Sequence, residues 1–167
     1  IKDNVNECSV IKSIYYFEKI LSILNYWRNE HNKLKDEQIE NINNDIINKI
    51  YKIFGETKAK LGLCYEILHD FDRALANLDE SISCIKFTKE QLWKLLEYKA
   101  RCFYRQGKFN EAKNLISTSY NILANKNYPC HVDNLRVGNI LIRTLIQTDE
   151  LYDAERYAQF AYESLTR

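Results

Sequence analysis

Apolar residues along this chain recur every three or four positions, not every second one. Residues 7–33 place Val10, Ile14, Phe17, Ile20, Leu21 and Leu24 at that spacing, and residues 37–54 place Ile39, Ile42, Ile46, Ile50 and Ile53 likewise. Side chains three and four apart return to one side of an α-helix, so both stretches predict amphipathic helices. The polar run from Asn29 to Asp36 reads as the connection between them. Gly55 leaves open whether the second helix continues into the segment that follows. Tyr15, Tyr16, Tyr26 and Trp27 fall on the first helix. Core positions under a neighbouring helix are expected for them, with an aromatic surface patch as the alternative.

Beyond that point the pattern repeats. Residues 59–82 (AKLGLCYEILHDFDRALANLDESI), 97–120 (EYKARCFYRQGKFNEAKNLISTSY) and 139–162 (NILIRTLIQTDELYDAERYAQFAY) align without a gap. Ala74, Ala112 and Ala154 share a column, as do Phe71, Phe109 and Leu151, and Ser81, Ser119 and Ala161. Gly62 and Ala100 are small where one helix must admit a partner, and Tyr65 and Phe103 put a ring three residues on, over the same face. Ile142 occupies the small column in the third segment. His69, Gly107 and Asp149 also coincide, and these residue types tolerate left-handed backbone, so the column predicts the turn that ends a helix. Each segment therefore predicts a helix pair with a short connection. Thr88 with Gln91 forms a capping box before the second pair, and Pro129 suits the first turn of the third.

Composition supports helices and removes several functions. One proline and four glycines among 167 residues are too few for a chain of short strands and tight turns. A formal net charge of +1 supplies no field for nucleic acid or a membrane surface, and no apolar run is long enough to span a bilayer. Cys8, Cys64, Cys84, Cys102 and Cys130 are odd in number, and none is paired at zinc-ligand spacing. That usage predicts an intracellular, cytoplasmic setting. Cys64 and Cys102 share a repeat column and read as packing thiols; Cys130 with His131 is too few ligands for zinc. His31, His69 and His131 are scattered, and no glycine-rich phosphate loop occurs. No catalysis, metal or cofactor is expected. The chain begins at Ile1, contains no methionine and ends in a helical pattern, which reads as a piece of a longer protein.

The columns at Leu61, Gly62, Tyr65 and Ala74, then at Ala100, Phe103, Gly107, Phe109 and Ala112, and at Leu141, Leu151, Ala154 and Ala161, resemble the tetratricopeptide repeat family. Successive alanines lie 38 and 42 residues apart, longer than the usual ~34 and similar to the extended repeats of kinesin-light-chain-type proteins. The resemblance implies an all-α fold in which helix-turn-helix repeats stack as a right-handed superhelix, an α-solenoid. It divides the chain into N-terminal helices over 1–54, as a cap or degenerate repeat, and repeats over 55–92, 93–134 and 135–167. It also implies a concave groove lined by the first helix of each pair. The groove positions would be Glu56, Ala59, Leu63 and Glu66, then Lys94, Glu97, Arg101 and Tyr104, then Arg136, Asn139, Arg143 and Ile146. Ala59 and Leu63 cannot hold a carboxylate, which argues against the clamp by which some family members grip chaperone tails. Arg101, Arg136 and Arg143 suit carboxylates, and Tyr104 suits an aromatic contact. The expected function is a non-catalytic adaptor binding a protein or peptide with acidic side chains. The alternatives are a structural segment of a cytoskeletal or ciliary assembly, or a regulatory domain of an enzyme lying outside this piece.

Overall fold

The computed structural model describes residues 7–34, 44–84, 89–124 and 132–166. Among them are seven α-helices and no strand: α1 (Glu7–Leu34), α2 (Asn44–Ile67), α3 (Phe71–Cys84), α4 (Lys89–Arg105), α5 (Phe109–Ala124), α6 (Val132–Gln147) and α7 (Leu151–Thr166). None is long and apolar enough to cross a membrane. The chain forms two compact units, Ile1–Lys86 with α1 to α3 and Phe87–Arg167 with α4 to α7. Within each unit every helix packs on its neighbour in sequence.

Three turns make the helical hairpins, and they share one geometry. His69, Gly107 and Asp149 adopt φ of 61°, 76° and 61°, the left-handed conformation their column predicts. The His69 amide donates to the Glu66 carbonyl at 3.0 Å, and the next amide, of Asp70, donates to the Tyr65 carbonyl at 2.9 Å. Gly107 and Lys108 repeat the pair with Tyr104 and Phe103, and Asp149 and Glu150 repeat it with Ile146 and Leu145. This is a Schellman cap, which satisfies the last carbonyls of one helix and turns the chain into the next.

The first unit is held by contacts of all three helices. Gly62 of α2 lies so close to α3 that a Cβ there would sit 2.9 Å from Cγ of Leu78 and 3.1 Å from the Ala74 carbonyl oxygen. The Ser81 hydroxyl, fully buried, donates to the Gly55 carbonyl at 2.7 Å. Against α1, the Tyr65 hydroxyl donates to Glu18 at 3.0 Å, and the Arg28 guanidinium lies over the rings of Tyr51 and Phe54. In the second unit Ser119 donates to the Trp93 carbonyl at 2.8 Å, one repeat on from the Ser81 bond. Its core joins Trp93, Ala100, Ile116, Val137, Leu141, Leu145 and Ala154, with Ile142 packed against them half-buried. Lys113 ties α5 to Glu150 in the following turn at 2.6 Å.

Helix α2 runs unbroken through Gly55 to Ile67, so the break that Gly55 permits is not taken; a buried glycine packed on Ser81 gives the helix no reason to stop. Several expectations are corrected. Helix α1 continues to Leu34, so much of the polar run Asn29–Asp36 is helix; the run holds neither glycine nor proline to stop it, and Glu30, Lys33 and Leu34 are good helix formers. Ile20 and Ile53 are exposed, each one residue beside the stripe that Leu21 and Phe54 bury. Tyr15, Tyr16, Tyr26 and Trp27 are exposed rather than core, because α2 covers only the opposite side of α1, marked by Val10 and Leu21. Residues 37–43, Thr88, Pro129, Cys130 and His131 lie outside the described residues.

Candidate functional site

A surface cleft of about 330 Å³ opens in the second unit, lined by Glu97, Arg101, Tyr104 and Arg105 of α4 and Arg136, Ile140 and Arg143 of α6. The spacing explains the convergence. Glu97, Arg101 and Arg105 are four apart along α4, and Arg136 and Ile140 are four apart along α6, so each helix turns one row toward the cleft. The volume lies at the small end of ligand-sized pockets.

The electrostatics centre on Glu97, whose side chain is wholly buried. Its Oε2 accepts from Nη2 of Arg136 at 2.8 Å, and Nη1 of Arg101 stands 3.8 Å from its Oε1. That Oε1 has no hydrogen bond. Burial pushes the Glu97 carboxyl above the usual carboxylate range, against the pull of Arg136 and Arg101 and with a further push from Asp133. Arg136 also faces Asp133 at 3.3 Å and lies over the Trp93 ring at 5.7 Å. It is thus spent on internal contacts. Arg143 differs: its guanidinium stacks over Tyr104 at 5.2 Å, and Tyr104 meets Phe109 edge-on at 5.4 Å. Among the described residues Arg143 has no carboxylate partner. A planar cation held flat on an aromatic face, with its edge open to solvent, is arranged to take an oxyanion bidentately.

Of the groove positions read from the sequence, Glu97, Arg101, Tyr104, Arg136 and Arg143 meet in this cleft. Lys94 and Asn139 are exposed outside it, Lys94 over Trp93 at 5.3 Å. Ala59 and Leu63 are half-buried in the first unit. Glu66 is buried to 1%, so its carboxylate is not presented to a partner. Arg105 and Ile140 were missed, although each continues a four-residue step from Arg101 or Arg136. Elsewhere the chemistry is sparse. Cys64 is a buried thiol with its pKa pushed up by desolvation, which makes it less reactive, and His69 serves the turn. Among the described residues, no three His, Cys, Asp or Glu side chains are gathered to hold a metal ion. The chain matches no family model and no curated protein.

Proposed function

We propose that this chain is a non-catalytic, tetratricopeptide-like module that binds a protein or peptide segment carrying acidic side chains. The hairpins would belong to an α-solenoid whose first helices line the binding face. The shared columns and the three identical turns support the repeat reading. The observation that carries the binding reading is the meeting of four arginines with one buried glutamate in a single cleft. Glu97 and Asp133 are set against Arg136, Arg143 stacks on Tyr104 instead, and Ile140 and Tyr104 add apolar wall for the body of a side chain. In this arrangement Arg143 is the anchor, and Arg136, with Arg101 behind it, holds Glu97 in place.

The test uses a short fluorescein-labelled peptide rich in Glu, titrated with the chain and followed by anisotropy. A charge-assisted hydrogen bond is worth ~1.5–3 kcal/mol, so Arg143→Ala is expected to weaken binding at least about tenfold. Asn139→Ala outside the cleft leaves affinity unchanged, and raising the salt concentration weakens the wild-type complex. Binding that survives Arg143→Glu, or no binding at low salt, overturns the assignment.

A further inference from the structure

Helix α1 is apolar on two opposite sides. Val10 and Leu21 face α2, while Tyr15, Tyr16, Ile23, Tyr26 and Trp27 remain 53–63% exposed. A helix apolar all round is normally covered all round, and a contiguous apolar patch on a surface marks an interaction site. Positions 12, 15, 19, 23, 26 and 30 step by three or four residues, so Lys12, Tyr15, Lys19, Ile23, Tyr26 and Glu30 form one stripe. Its rings are already gathered: Tyr15 meets Tyr16 at 5.6 Å, Tyr26 meets Trp27 at 6.2 Å, and the Lys19 ammonium lies 4.6 Å over Tyr15.

From this face we infer that α1 is a self-association surface, on which a second copy of the chain lays its own α1 antiparallel across a twofold axis. The charge order along the stripe selects both the occupant and its direction. The cations Lys12 and Lys19 stand in the N-terminal half, and Glu30 stands near the other end. Parallel helices would set each of these charges against itself. An antiparallel pair instead brings Lys12 opposite Glu30 of the second copy. The same register brings the Lys19 stem against Ile23, Tyr15 beside Tyr26 along one flank, and Tyr16 beside Trp27 along the other. Twofold symmetry makes each pairing occur twice, and the contact closes at two copies. The stripe is therefore complementary to itself, which a surface evolved for an unrelated partner need not be.

The area is consistent with that occupant. Aromatic side chains carry ~150–250 Å² each, and at these exposures the five apolar residues offer roughly 600 Å² per copy. Two such faces reach the ~1,200 Å² lower edge of specific interfaces, the size class of reversible rather than obligate pairs. The inference uses only the first unit and stands whether or not the arginine cleft binds peptide.

Sedimentation equilibrium of the 167-residue chain from about 1 to 100 µM tests it. The expected result is a monomer–dimer equilibrium, with Trp27 emission shifting to the red on dilution. Tyr16→Glu and Trp27→Glu, at exposed sites that leave helical circular dichroism unchanged, should each raise the dissociation constant at least about tenfold. Lys12→Glu should weaken the dimer, and adding Glu30→Lys to it should restore the dimer. A chain monomeric throughout the range overturns the inference. So does mass that grows beyond the dimer, as α1 docking on the exposed Tyr152 and Phe160 of α7 would produce. Association indifferent to the α1 variants, or charge exchange without rescue, also overturns it.

Discussion

Gly62 and Gly138 both lie inside helices, yet replacing them with alanine should move stability in opposite directions. A Cβ on Gly62 would come within 2.9 Å of Leu78 Cγ, and within 3.1 Å of both Leu78 Cδ2 and the Ala74 carbonyl oxygen. Leu78 and Ala74 are fully buried, and the carbonyl is backbone, so neither side can yield without moving α3 away from α2. Overpacking of this kind costs ~1–3 kcal/mol. The better helix propensity of alanine returns ~1 kcal/mol. Gly62→Ala should therefore destabilise by about 1 kcal/mol. A Cβ on Gly138 meets only the Tyr120 ring, at 3.4 and 3.9 Å, which is ordinary contact. Its propensity gain is unopposed, so Gly138→Ala should stabilise by ~0.5–1 kcal/mol. Gly107→Ala separates packing from backbone conformation: nothing lies within 4 Å, but φ is +76°, and the left-handed conformation costs ~1–2 kcal/mol with a Cβ. Urea titration followed by helical circular dichroism measures all three, and the buried Trp93 reports the second unit separately by fluorescence. With slopes of ~1–3 kcal/mol per molar urea, Gly62→Ala and Gly138→Ala should have midpoints roughly 1 M apart. A Gly62→Ala chain as stable as the original would refute the close approach of α2 and α3.

Ser81→Ala and Ser119→Ala should each cost about 1 kcal/mol by urea titration, since each removes a buried hydroxyl bond to a carbonyl of the preceding helix. The pH dependence of the thermal midpoint should carry two opposite signatures. Asp70 is held below the usual range chiefly by the Arg73 backbone amide, and Glu150 by Lys113, so their contribution is present at neutral pH and lost as pH falls through those lowered values. Glu97 is raised, so the folded chain binds its proton more tightly than the unfolded one. Stability should rise as pH drops from neutral through that raised value, and Glu97→Gln should abolish the rise.

The fold was legible where one residue type meets one backbone demand. His69, Gly107 and Asp149 share little chemistry beyond tolerance of positive φ, and coincidence in three registers made the turn readable before any helix was placed. The Ser81 and Ser119 column was readable as small but not as hydrogen-bonded. The carbonyls it serves, at Gly55 and Trp93, lie 26 residues away, and carbonyls leave no mark on a sequence. The same limit explains α1. An aromatic side chain at helical spacing signals an apolar face, but spacing does not say which face a neighbouring helix will cover. With Val10 and Leu21 on one side and Tyr16 and Trp27 on the other, both choices had apolar residues to bury.

The cleft divides along a similar line. Three arginines and a tyrosine at groove positions were legible because charge on a helix face is visible in sequence. Their unequal roles were not, because these depend on Glu97. A carboxylate with no exposed surface cannot be a ligand contact. It is a fixed counter-ion, and leaving it unpaired in a low-dielectric site would be costly. Arg136, at 2.8 Å, must therefore stay, and Arg101 at 3.8 Å is drawn the same way. Two of the cations that seemed available for a partner are thereby committed in whole or part to the chain itself. Arg143 escapes because it stacks on Tyr104 rather than reaching Glu97. The buried acid thus separates Arg136 and Arg101 from Arg143, and it makes Arg143, rather than the cluster as a whole, the residue on which the proposed acidic recognition turns.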